Sequence, residues 1–110
     1  MKTIMIMSGV LSLGLTLHAQ DAALVKKGEG VYTAQRCSTC HGIAGKGNKS
    51  NPLDGVGGKL STEDIHHWIV DPTAMTAKAQ STKKPPMPNR YSKLPAEELD
   101  ALVAYLASLK

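Results

Sequence analysis

Cys37-Ser38-Thr39-Cys40-His41 decides how this chain is read. Two thiols separated by two residues, followed at once by an imidazole, match the attachment sequence for a c-type haem: each thiol adds across one haem vinyl group and His41 reaches the iron. The spacing follows from geometry. A single helical turn presents both sulfurs to the edge of the macrocycle and directs the next side chain towards its centre. These are the only two cysteines in the chain, so two thioether bonds to one porphyrin account for all of the cysteine sulfur.

Two other chemistries use the same residue types. A thioredoxin-like dithiol also has a Cys-x-x-Cys pair, but it sits after a strand in a βαβ unit, and no strand pattern precedes Cys37. Zinc could draw on Cys37, Cys40 and two of His41, His66 and His67, since it accepts thiolates and imidazoles together. A haem protein is red and keeps its haem through denaturation, whereas either rival is colourless.

Residues 1–19 read as a secretory signal peptide. Met1-Lys2 is a short basic start, Ile4 to Leu17 is mostly apolar, and Ala19 offers a small residue for cleavage before Gln20. The run falls short of the ~20 apolar residues of a membrane span, and no second one follows. The alternative is an uncleaved anchor, because His18 and Gln20 make the cleavage site imperfect. Export fits the haem reading, since thioether attachment takes place outside the cytoplasm, in bacteria in the periplasm.

Residues 20–110 then form one small domain, of a size at which the buried fraction of surface is low. It contains no Phe, and its aromatic residues are Tyr32, Trp68, Tyr91 and Tyr105. Apolar core material is scarce, so a haem packed edge-on would complete the core. Loss of residues 1–19 removes Lys2 and no acid, which takes the formal net charge from +4 to +3. Lysines are spread through the chain where a nucleic-acid footprint would be a dense stripe. The charge instead implies solubility and steering towards acidic partner surfaces.

Patterning along the chain is helical. Asp21 is placed to cap a helix over residues 22–36, with Leu24, Gly28, Val31 and Tyr32 on one face. Gly28 and Gly30 cost such a helix about 1 kcal/mol each relative to alanine. A glycine on the packed face implies close approach of another backbone, for which the last helix is the candidate. Residues 42–59 are rich in Gly, Asn, Lys and Ser and read as a loop of the length that cofactor wrapping justifies. Ser61 and Asp64 resemble a capping box opening a helix that carries Ile65, Trp68 and Ile69 and stops before Pro72. Asp71-Pro72 is an N-cap and first residue for a short helix through about Gln80. Pro85, Pro86 and Pro88 force an extended path. From Ala96 to Lys110, Leu99, Leu102, Val103, Leu106 and Leu109 repeat at helical spacing, with Glu97 and Glu98 at the positive end of the dipole. The fold class is all-α.

An electron-transfer haem has a second axial ligand, and a thioether raises its potential relative to a second imidazole. After the signal segment the methionines are Met75 and Met87. Met87 is the expected ligand, because flanking prolines stiffen the backbone that must hold a weak donor. Met75, on a short helix, reads as a core residue. His66 and His67 point in different directions on one helix and cannot both face an iron.

In the order of these features, over nearly all of residues 20–110, the chain resembles class I cytochromes c of the small bacterial monohaem kind. The resemblance implies roughly three to five helices wrapped around one covalently bound haem c. It implies His41 as proximal ligand, Met87 as distal ligand, and the Pro52 carbonyl as acceptor for the other ring nitrogen of His41. It places Gly28 and Tyr32 against Leu102 and Tyr105, and Trp68 as a haem-packing residue. Cys37, Cys40, His41, Pro52, Trp68 and Met87 are therefore the expected cofactor contacts. The implied function is a periplasmic electron carrier, a monomer and not an enzyme, that meets redox proteins bearing acidic docking surfaces, with no nucleic acid and no membrane span after signal cleavage. Lys83 and Lys84 are candidate docking contacts. Rival readings are a dedicated subunit of a dehydrogenase or reductase, and a gas-binding or enzymatic haem domain with an open sixth position.

Overall fold

Apolar spacing near the C-terminus builds the helix on which the rest of the fold is assembled. Leu99, Leu102, Val103 and Leu106 are buried on α5 (Ala96–Ala107), and Glu97 and Glu98 occupy its first turn, where the helix dipole favours negative charge. The computed structural model describes residues 13–110. Within them α1 (Leu13–Ala34) packs on α5 in the most extensive helix–helix contact. Gly28 makes that contact possible: a Cβ built there would lie 1.9 Å from the carbonyl oxygen of Ala101 and 2.7 Å from Cβ of Tyr105. One turn on, Val31 and Tyr32 are buried, and the Tyr32 ring meets Tyr105 edge-on with centroids 5.7 Å apart. The resemblance places Leu102 and Tyr105 at this crossing; the backbone beneath Gly28 is that of Ala101.

Local capping chemistry sets the middle helices. The Ser61 hydroxyl accepts the Asp64 N–H at 3.1 Å and opens α3 (Thr62–Val70), whose Ile65 and Ile69 enter the core. Asp71 Oδ1 accepts the Ala74 N–H at 3.3 Å and opens α4 (Pro72–Lys78) with proline as its first residue. α4 stops short of Gln80 because Gln80 turns left-handed (φ 51°). The Ser81 N–H then reaches the Thr76 carbonyl and the Gln80 N–H that of Ala77, the paired bonds of a Schellman ending.

Two expectations need correction. α1 begins at Leu13, so Asp21 lies inside the helix instead of capping it. Leu and Ala between residues 13 and 24 are strong helix formers and carry the pattern backwards. The basic start and most of the apolar run of the expected signal peptide, residues 1–12, lie outside the described residues. At its other end α1 stops at Ala34, because Arg36 is left-handed (φ 56°) and turns the chain into the cysteine motif.

The region from 42 to 59 is also more ordered than a loop. Gly42–Ile43 (β1) and Lys46–Gly47 (β2) form a small antiparallel hairpin, and Val56–Lys59 is a short helix, α2. Gly47 (φ +89°) lies so close to the motif that a Cβ there would sit 2.4 Å from the His41 carbonyl oxygen. α2 contains two glycines and is a poor helix on propensity; its Gly57 N–H donates to the Leu109 carbonyl at 2.8 Å, tying it to the end of the chain. The fold is all-α apart from the two-residue strands.

Candidate functional site

The cysteine motif takes a tight conformation of its own. Cys37–Thr39 is a single 3-10 turn, closed by the Cys40 N–H at 3.1 Å and the His41 N–H at 2.9 Å, both donating to the Cys37 carbonyl. Both thiols are free of any disulfide. Cys37 is half-buried, and burial raises its thiol pKa above the ordinary value; Cys40 is exposed.

A cleft of about 240 Å³ opens beside this turn. Cys37, His41, Trp68 and Met87 line it together, drawn from the motif, α3 and the proline-rich segment. Its walls are otherwise mostly apolar: Leu53, Val56, Leu60, Ile65, Ile69 and Leu102 among them. Tyr32 also borders it, and its buried hydroxyl has no hydrogen-bond partner among the described residues. Burial pushes the Tyr32 phenol up to about 12.

His41 is prepared for coordination. Burial lowers its pKa below the usual imidazole value and the Lys83 ammonium acts the same way, against an opposing contribution from the Asn51 backbone carbonyl. The ring is therefore held neutral, the form that binds a metal. Its Nδ1 lies 3.1 Å from Asn51 Nδ2. An imidazole that coordinates through Nε2 carries its proton on Nδ1 and needs an acceptor there. The acceptor in that neighbourhood is the Asn51 backbone carbonyl; the Asn51 side chain presents Nδ2 to the ring and Oδ1 to Lys83.

Of the expected contacts, Cys37, His41, Trp68 and Met87 meet at one cleft. Cys40 is exposed and off the lining. Pro52 is off the lining too: it is exposed and bridges to Gly42, and the residue at Nδ1 of His41 is Asn51, one position earlier. Met75, His66 and His67 do not line the cleft, and among the described residues no three His, Cys, Asp or Glu side chains converge as a metal site, which leaves the zinc arrangement without its ligands. Lys83 is not a loose docking lysine, since its Nζ is bonded to Ser50 and Asn51. Asn51 and Lys83 as site residues were hidden in the sequence; the clue available was only their place in the loop and beside the prolines.

The donor set and lining fit a haem c. A soft thioether and a neutral imidazole share a mostly apolar cleft with a motif cysteine, and the second cysteine closes the same 3-10 turn. His41 and Met87 would hold the iron, and Cys37 and Cys40 the porphyrin edge.

Comparison with known proteins agrees with this chemistry. The family model for cytochrome c matches residues 25–110. A relative, cytochrome c oxidase subunit 2 of Alkalihalophilus pseudofirmus, is 30% identical over 96 residues, covering 79% of this chain and 26% of that protein. The chain thus spans about a quarter of the length of the curated relative it matches. No solved structure matches. With nearly the whole region from α1 to the C-terminus matched, the chain belongs to the cytochrome c family, whose covalently bound haem c and electron-transfer chemistry the Cys37-x-x-Cys40-His41 arrangement fits.

Proposed function

We propose that this protein is an exported electron carrier, working in the periplasm after removal of residues 1–19, with one haem c ligated by His41 and Met87. The observation that carries the reading is the convergence of Cys37, His41 and Met87 on one apolar cleft. When bound, the haem supplies an iron that exchanges one electron between Fe(II) and Fe(III). The protein's residues do the rest. His41 and Met87 keep the coordination fixed, so that little rearranges when charge changes. Asn51, in the place first expected of Pro52, orients the His41 ring. Leu53, Ile65, Trp68 and Leu102 exclude water. The positive net charge favours brief encounters with acidic surfaces of redox partners.

Absorption spectra of the oxidised and reduced protein test this reading. A sulfur-to-iron charge-transfer band in the ferric state is expected. A high-spin spectrum with ready carbon monoxide binding would instead identify an open sixth position, as in a gas-binding or enzymatic haem domain.

The similarity to an oxidase subunit favours a second reading, in which the domain serves one respiratory enzyme as a dedicated electron-transfer subunit. Permanent co-elution with a larger complex on size exclusion distinguishes it from a shuttle, which passes as a monomer.

A further inference from the structure

The segment that carries Met87 has little of its own to hold it. Pro85, Pro86 and Pro88 lack N–H groups, so these three positions cannot donate backbone hydrogen bonds. Among the described residues, the only hydrogen bonds from residues 82–88 to distant parts of the chain come from the Lys83 ammonium. It donates to the Ser50 carbonyl at 3.0 Å and to Asn51 Oδ1 at 3.3 Å. The turn that receives it is anchored to the cysteine motif: the Gly42 N–H donates to the Asn51 carbonyl at 3.1 Å, and the Asn51 side chain lies beside Nδ1 of His41. One cation thus joins the distal segment to the turn beside the proximal histidine.

We propose that Lys83 is a positioning residue, a strap that holds the Met87 segment against the Ser50–Asn51 turn and keeps the methionine sulfur in place. The inference rests on ligation by His41 and Met87. A charged donor on a carbonyl is stronger than a neutral one, but exposure to water moderates its effect. The strap therefore acts on how often Met87 leaves, not on whether the protein folds.

Imidazole added to the ferric holoprotein competes for the position of Met87, and loss of the charge-transfer band reports its binding. Lys83→Gln should tighten apparent imidazole binding about three- to tenfold, the effect of losing two exposed charge-assisted bonds from one ammonium. Lys83→Arg keeps a cationic donor and should restore most of the wild-type resistance. Lys84→Gln removes the same charge one residue away, without the bonds, and should match the wild type. Equal imidazole affinity in Lys83→Gln and Lys84→Gln, or in Lys83→Gln and the wild type, would overturn the strap while leaving the ligation intact. A wild-type ferric spectrum lacking the band would remove the ligation reading, and the strap with it, before any substitution is compared.

Discussion

Met87 and Met75 carry the same thioether, and only their settings separate them: Met87 lines the cleft between prolines, while Met75 sits on α4 away from it. Met87→Ala should therefore lower the reduction potential and let exogenous ligands reach the iron, whereas Met75→Ala should change neither and cost only packing. Potentiometric titration of the two variants decides the assignment; unchanged behaviour in Met87→Ala would move the role elsewhere. Tyr32 gives a different kind of test. Its phenol titrates near 12 in the folded protein against an ordinary 10, because burial disfavours the charged form. As pH rises past about 10 the unfolded chain gives up this proton first, so stability falls until the folded phenol ionises as well near 12. Tyr105, also raised by burial, adds to the same trend. Denaturant melts of Tyr32→Phe should show a flatter loss of stability across that alkaline range than the wild type; an identical slope would remove Tyr32 from the account.

At the scale of elements, the α1–α5 contact depends on the absence of one side chain. Gly28→Ala would drive a Cβ into the Ala101 carbonyl, and this overpacking should cost about 1–3 kcal/mol despite alanine's better helix propensity. Gly30 has nothing within 4 Å of an added Cβ, so Gly30→Ala should stabilise by up to about 1 kcal/mol. Opposite signs in thermal or denaturant melts are the expected result, and destabilisation in both would deny that Gly28 marks a special contact. These elements also show what was legible in the chain. The Ser61–Asp64 cap, the Asp71-Pro72 start and the leucine repeat of α5 are local signals, written within a turn of the residues they govern. The hairpin and α2 are not, because two-residue strands show no alternation and the Val56–Lys59 turn is held by the distant Leu109 carbonyl. The early start of α1 was masked by Asp21, a good cap residue that lies mid-helix. In the site, the motif and Met87 could be read directly, while Asn51 beside His41 and Lys83 across to Ser50 depend on contacts between segments far apart in sequence.

At the scale of the whole molecule, the core among the described residues and the cleft share one space. Apart from Tyr91, the buried hydrophobic residues of the core gather along α1, α3 and α5, and the cleft occupies the space between these helices and the Met87 segment. No phenylalanine fills that space. A haem would bring apolar surface to it, so the cofactor belongs to the fold's stability as well as to its chemistry. A Cys37→Ala/Cys40→Ala double variant should accordingly show weaker helical circular dichroism and a lower melting temperature when haem is withheld, compared with the haem-bearing wild type. Equal melting of the two would mean that the polypeptide supports itself. Among the described residues no helix is long and apolar enough to cross a membrane, and the relative in which a similar domain forms a quarter of an oxidase subunit shows that this domain also occurs as part of a larger chain. The most direct measurement is the intact mass of the denatured protein after production with a working haem-attachment system. The account predicts the mass of the polypeptide plus one haem, retained through denaturation; the mass of the amino acids alone would contradict it.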